Sequence, residues 1–178
     1  INLPSSITSL GYSCFRGCSS LASIELPSSI TSLGEFCFQN CSSLTSINLP
    51  SSITSLEYKC FYNCSSLASI NLPSSITSLG ENCFEKCSHL TSMLCLAVEP
   101  PSCILSNYTD THNTSLVNNT MRLYVPKESK EKYKQNDAWN SAKGIYPLYP
   151  TSSVSLVKEV SVDKAKPTKL EYTIMPEN

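Results

Sequence analysis

Apolar side chains recur along residues 1–92 in one fixed order. In the second copy they are Leu21, Ile24, Leu26, Ile30, Leu33, Cys37, Phe38, Cys41 and Leu44, with mostly polar residues between them, and the set returns every 23 residues. The string Leu3-Pro4-Ser5-Ser6-Ile7-Thr8-Ser9-Leu10 recurs letter for letter at Leu26–Leu33, Leu49–Leu56 and Leu72–Leu79. Each copy is followed by Cys-Phe-x-x-Cys-Ser-x-Leu, first seen at Cys14–Leu21. Tandem units that cannot bury their apolar side alone, repeated at a fixed period, predict a solenoid with a continuous core.

The period changes within the unit. Ile24-x-Leu26 alternates with period 2, which predicts a short strand with both side chains turned inward. Pro27, like Pro4, Pro50 and Pro73, lacks an N–H and marks the strand's end. Ile30-x-x-Leu33 predicts a second extended piece. Gly11, Gly34 and Gly80 then supply a turn, and Glu57 in the same column argues that positive φ is not required there. Cys14, Phe15, Cys18 and Leu21 fall at relative positions 0, 1, 4 and 7, the spacing of a helical turn or two. The expected fold is therefore a strand-rich α/β solenoid, a parallel strand ladder with short helical returns.

Differences between copies separate outside from inside. Asn2/Glu25/Asn48/Asn71, Tyr12/Glu35/Tyr58/Glu81, Ser13/Phe36/Lys59/Asn82 and Arg16/Gln39/Tyr62/Glu85 vary freely, so these columns are expected on the surface. The invariant Ile, Leu, Phe and Cys columns are expected in the core.

Leu-x-x-Ile-x-Leu resembles the strand step of leucine-rich repeats. The whole unit, Leu-Pro-Ser-Ser-Ile-Thr-Ser-Leu-Gly-x-x-Cys-Phe-x-x-Cys-Ser-Ser-Leu, resembles the BspA-like class, with Cys-Phe where typical members have Ala-Phe. The resemblance implies a leucine-rich repeat solenoid of a cell-surface or secreted bacterial protein. It further implies adhesion to host proteins or other cells, and it brings no catalytic residues.

Beyond the four repeats of 1–92, residues 93–148 read as degenerate final repeats. Met93-Leu94-Cys95 starts a fifth strand, with Cys95 in the place of the strand Leu. Ser102–Thr120, rich in Asn and Thr, reads as an insertion loop. Leu123-Tyr124-Val125-Pro126 repeats Ile-x-Leu-Pro as a final rung, and Ser129–Trp139 reads as a charged cap helix anchored by Tyr133 and Trp139. Residues 149–178 read as a linker, the start of a further segment or a strand laid on the cap, with possible strands at Val154–Val162 and Lys169–Met175. The chain opens inside a repeat, so any leader segment or earlier repeats are expected to lie outside this sequence.

Charge narrows the partners. The net charge is −1, which points neither to a nucleic-acid groove nor to an anionic membrane surface. Residues 1–92 hold only Arg16, Lys59 and Lys86 against Glu25, Glu35, Glu57, Glu81 and Glu85. No run approaches the roughly 18 apolar residues of a membrane span.

The four Cys-x-x-x-Cys pairs could present two thiolates to a metal if they lay on a helical turn. Small buried residues packing between rungs are the preferred reading, because the neighbouring Phe leaves no polar support for a metal. Free thiols are expected in the ladder. Cys95 and Cys103, which flank Pro100-Pro101, are the only pair considered for a bridge. His89 replaces a repeat Ser and His112 lies in the Asn/Thr loop, so neither marks a catalytic site, and no enzyme, cofactor or metal is expected. The Asn-x-Ser/Thr sequons at Asn40, Asn63, Asn107, Asn113 and Asn118 are read as chance in a chain of this composition.

The strand face remains as the candidate binding surface, formed by Asn2, Glu25, Asn48 and Asn71 with Ser23, Ser46, Ser69, Ser92, Thr45 and Thr91. These residues are small and polar and lack the Trp, Tyr or Arg of interface hot spots. The expectation is a monomeric, non-enzymatic module that binds a protein, with glycan as a second ligand class. A spacer or targeting array for another domain is the rival reading.

Overall fold

The structure, a computed structural model, describes residues 1–104, 116–117, 119–150 and 172–174. Each repeat makes one rung and contributes a strand to each of two sheets. The larger sheet receives β2 (Ser23–Glu25), β4 (Ser46–Asn48), β6 (Ser69–Leu72), β8 (Ser92–Cys95), β10 (Arg122–Pro126), β11 (Gly144–Pro150) and β12 (Tyr172–Ile174), adjacent in that order. The smaller sheet receives β1 (Ser9–Leu10), β3 (Ser32–Leu33), β5 (Ser55–Leu56), β7 (Ser78–Gly80) and β9 (Ser102–Ile104). All pairings are parallel except β11 with β12.

Proline marks the corner between the sheets. The N–H of Ile7, Ile30, Ile53 and Ile76 donates to the carbonyl of Pro4, Pro27, Pro50 and Pro73, at 3.1 to 3.2 Å. The second serine of each corner joins the rungs: Ser29, Ser52 and Ser75 donate through Oγ to the carbonyls of Ile7, Ile30 and Ile53 at 2.5 to 2.6 Å.

The return segment differs from the expected helix. It is a chain of overlapping turns, in which Cys37, Gln39 and Cys41 donate to the carbonyls of Gly34, Phe36 and Phe38. Left-handed residues interrupt any helical run, at Ser13, Phe36, Lys59 and Asn82 and again at Gly17, Asn40, Asn63 and Lys86. The N–H groups thereby turned sideways bond the next rung: Phe36 to Tyr58, Phe38 to Cys60 and Asn40 to Tyr62, at 2.8 to 3.0 Å. A third backbone ladder replaces the helix. Non-glycine residues at positive φ cost about 1 kcal/mol or more each, and the ladder bonds offset that cost.

The invariant columns fill the core. Ile30, Leu33, Cys37, Phe38, Cys41 and Leu44 are fully buried. Phe15, Phe38, Phe61 and Phe84 stack nearly parallel through the rungs, with centroids 5.3 to 5.7 Å apart. Three variable residues expected outside are buried as well: Gln39, Tyr58 and Glu81. The third ladder draws the return segments together, so variable side chains there pack on their neighbours. Phe36 makes edge contacts with both Tyr12 and Tyr58 at 5.5 and 5.2 Å.

The C-terminal part departs from expectation in three places. Ser102–Ile104, assigned to the insertion loop, is β9 and extends the smaller sheet. Leu123–Pro126 is not the last rung, because β11 adds another parallel strand beyond β10. The cap helix shrinks to a 3₁₀ turn, Lys127–Ser129, and α1, Lys130–Lys134. Tyr133 and Trp139 are fully buried and meet edge-on at 5.3 Å. Their polar tips donate to the carbonyls of Ala97 and Pro101. Tyr172–Ile174 falls within the expected strand Lys169–Met175, whereas Val154–Val162 lies outside the described residues.

Candidate binding face

Alternation along the strands of the larger sheet turns every second side chain out of the solenoid. Glu25 is in register with Asn48, Asn48 with Asn71, Asn71 with Leu94, Leu94 with Tyr124 and Tyr124 with Tyr146. Asn2 bridges to Glu25 at the other end. A second outward row holds Ser23, Ser46, Ser69, Ser92, Arg122 and Gly144.

Asn2, Ser23, Glu25, Thr45, Ser46, Asn48, Ser69, Asn71 and Thr91 are exposed, and Ser92 is half-buried. Six of them, Ser23, Glu25, Ser46, Asn48, Ser69 and Asn71, line a shallow depression of about 340 Å³ floored by Ile24 and Ile47. Thr45 and Thr91 lie off the depression, and the Thr45 hydroxyl is engaged with the Ala22 carbonyl at 3.3 Å.

The far half of this face lies outside the repeat pattern of residues 1–92. Leu94, Tyr124 and Tyr146 are half-buried and continue the Glu25–Asn71 row, with exposed Arg122 beside them. The tyrosine rings lie 5.4 Å apart with a 31° tilt. Tyr146 leans over Gly144 so closely that a Cβ there would stand 2.7 Å from its Oη. The signal was present: Leu123-Tyr124-Val125 and Ile145-Tyr146-Pro147 share the inward–outward–inward alternation. Pro147 and Pro150, a residue type that ordinarily ends a strand, mask that alternation in the second segment.

The opposite, return side carries the cations of the repeats. Arg16 lies over Phe36, Lys59 over Tyr58 and Tyr62, and Lys86 over Tyr62, at 4.9 to 5.6 Å from the ring centroids. The Arg16 and Lys86 contacts tie neighbouring rungs together, whereas those of Lys59 lie within its own rung.

All ten cysteines are free thiols. From the second pair on, the second cysteine donates to the rung before it: Cys41 to Phe15, Cys64 to Phe38 and Cys87 to Phe61, at 3.0 to 3.1 Å. Burial pushes the Cys37 thiol up to about 12 and the Cys41 thiol to about 11, and holds Cys60 well above its usual value. Burial thus favours the neutral thiol at Cys37, Cys41 and Cys60, whereas the Cys87 thiol is shifted down by its hydrogen bond with Cys64. Among the described residues, no group of three or more His, Cys, Asp or Glu is assembled for a metal ion. Cys95 meets Tyr133 Oη at 3.2 Å, while Cys103 sits in the other sheet. His89 is exposed, with Nδ1 at the Ser65 carbonyl. His112 lies outside the described residues. Among the described residues, no helix is long and apolar enough to cross a membrane.

The sequence model of the BspA type leucine-rich repeat region matches residues 1–97 in six copies. The chain belongs to this family. Among solved structures it is similar to the pneumococcal vaccine antigen PcpA, with a TM-score of 0.51 and 18% identity, covering 80% of this chain and 39% of that one. It is also similar to a leucine-rich repeat protein from Bacteroides capillosus, with a TM-score of 0.47 and 24% identity over 50% and 63% of the two chains. The T. pallidum leucine-rich repeat protein gives 0.43 and 23%, over 78% of each. At 18% identity the likeness to the pneumococcal antigen bears on the fold alone. The chain spans less than two thirds of the pneumococcal and Bacteroides chains. No curated protein matches this sequence. The BspA-type repeat accounts for the Leu-Pro-Ser-Ser-Ile string and the ladders it builds; the tyrosines on β10 and β11 lie beyond the matched residues.

Proposed function

We propose that the chain is a non-enzymatic binding module of a surface or secreted bacterial protein, which adheres to proteins of a host or neighbouring cell through the outward face of its larger sheet. The observation that carries this reading is the single register row from Asn2 through Glu25, Asn48 and Asn71 to Tyr146, which gives the sheet one continuous outward surface. Its Ser, Asn, Gly, Tyr and Arg composition is that of adaptable protein-binding surfaces. Membership of the BspA-type family supports the surface or secreted setting. The module works as a monomer, and oligosaccharide is its second ligand class.

Binding by the polar rungs is weak per rung, and display of many copies raises avidity by about 10²–10⁴. The test is the purified chain clustered on beads over arrays of extracellular-matrix proteins and glycans. Retention on a protein, lost on Asn48→Lys, supports adhesion. Absence of binding to either array, even when clustered, leaves the rival reading of the solenoid as a spacer, which the small polar side chains of Ser23–Asn71 favour.

A further inference from the structure

We propose that Leu94, Tyr124, Tyr146 and Arg122 form the energetic centre of this face, and that it takes a protein segment presenting an apolar or aromatic side chain next to a carboxylate. This inference rests on the reading of the larger sheet as the binding face, and it adds where on that face affinity resides and what chemistry the partner brings.

The four residues gather on adjacent strands β8, β10 and β11. Leu94 and the two tyrosines are each half-buried, so much of their ordering is achieved before any partner arrives. Tyr146 is held by Tyr124 on one side and by the bare backbone of Gly144 beneath it. Pre-ordered tyrosines give large contact area at small entropic cost, and Tyr and Arg dominate interface hot spots. Neither phenol hydroxyl, nor the Arg122 guanidinium, has a hydrogen-bond partner among the described residues. A buried apolar body with a free polar tip is what an interface anchor requires.

Charge indicates the partner. Along the outward rows of β2, β4, β6, β8 and β10, the charged residues are Glu25 and Arg122. They lie four strands apart, roughly 19 Å at about 4.8 Å per strand. Among the described residues of these rows, the aromatic cluster thus has a cation beside it and no acid, and a guanidinium pairs best with a carboxylate in a bidentate arrangement. The tyrosine rings turn faces toward each other and one leans on Gly144, which occupies ring faces that a sugar would stack upon. That geometry favours a protein occupant over a glycan.

A random dodecapeptide library displayed on phage, selected on the immobilised chain, tests this directly. The expected peptides carry Asp or Glu near an aromatic or Leu residue. Their synthetic forms should weaken at least about tenfold on Tyr124→Ser, Tyr146→Ser and Arg122→Glu, while Glu25→Ala and Asn48→Ala change binding less than about threefold. Replacing the peptide's acid by Lys should restore part of the loss on Arg122→Glu. Thermal melts check that each variant is folded, and Tyr124→Phe supplies a version lacking only the hydroxyl. Peptides that bind all three cluster variants undiminished but fail on Asn48→Lys overturn the cluster and leave the face intact. Peptides indifferent to both sets overturn both readings. A library that yields no such peptide, with or without a glycan ligand on an array, overturns the protein occupant.

Discussion

The thiol of Cys64 donates to the carbonyl oxygen of Phe38 at 3.1 Å, across the boundary between two rungs and 26 residues back along the chain. Cys41 and Cys87 make the same bond one rung either side. The column therefore combines a small, fully buried body with a weak donor aimed at the preceding rung, which a plain alanine lacks. Cys64→Ala should cost about 1–3 kcal/mol, from a small cavity together with the lost bond. Cys18→Ala, at an exposed position of the same column, should stay within about 0.5 kcal/mol. Urea titrations of both variants check the contrast, and equal losses would show that rung position is irrelevant.

Alkaline pH should unfold the protein through the buried thiols of the second rung, Cys37 and Cys41. Burial raises Cys37 from 9.0 to about 12 and Cys41 from 9.0 to about 11. Above pH 9 the unfolded chain has released these protons while the native state still holds them, so the unfolded state binds fewer and stability falls as pH rises. Each thiol contributes a slope of up to about 1.4 kcal/mol per pH unit, present from the unfolded value to the folded one. Tyr133, raised first by burial and then by Cys95, adds to the same limb. Urea midpoints should be nearly flat below about pH 8.5 and fall steeply above it. Cys37→Ala should lower the midpoint at neutral pH and make the alkaline limb shallower; an unchanged limb would exclude the thiol as its source.

The two serines of each Pro-Ser-Ser corner look identical in sequence and are not equivalent in the fold. Ser51 is exposed, whereas Ser52 is half-buried and donates to the Ile30 carbonyl. Ser52→Ala should cost about 1 kcal/mol and Ser51→Ala close to nothing. Chemical denaturation of the pair separates an inter-rung bond from a surface coating.

Residues that had to be buried were the most legible. Ile30, Leu33, Phe38 and Leu44 return at one period, and a solenoid is the arrangement that buries them all. Exchangeable residues misled where backbone geometry overrode composition. Tyr58 and Glu81 vary between copies yet are buried, because the return segment forms a ladder of its own. That ladder left a trace in the column Gly17, Asn40, Asn63 and Lys86: glycine and asparagine are the residues that tolerate positive φ, and all four adopt it. The apolar spacing of Cys14, Phe15, Cys18 and Leu21 matched a helix only because consecutive turns also bring such positions to one side. On the binding face, the polar half followed from the repeat, but Tyr124 and Tyr146 belong to rungs of unlike sequence. Only the strand register brings them beside Leu94.

The glycine column shows what the rungs demand of one another. Gly11 and Gly34 follow strands of the smaller sheet and Gly80 ends one, and positive φ is confined to Gly17 among the described glycines. Turn conformation is therefore not the reason for them; proximity is. A Cβ on Gly80 would stand 2.7 Å from the Glu57 carbonyl oxygen and closer still to Tyr58 N. One on Gly34 would stand 2.8 Å from the Gly11 carbonyl carbon, and one on Gly11 would meet nothing within 4 Å. Where Glu57 takes the position, the bond from its N–H to the Leu33 carbonyl lengthens to 3.3 Å, against 2.8 Å for Gly34 to Leu10. Backbone atoms cannot rotate away as a side chain can, so Gly80→Ala should cost on the order of 2–3 kcal/mol and Gly34→Ala about half as much. Gly11→Ala should be neutral or stabilising by up to about 1 kcal/mol, because it restricts the unfolded chain without a native clash. Thermal melts of the three variants should rank them in that order, and a Gly11 variant as damaged as the Gly80 one would return the column to a conformational role.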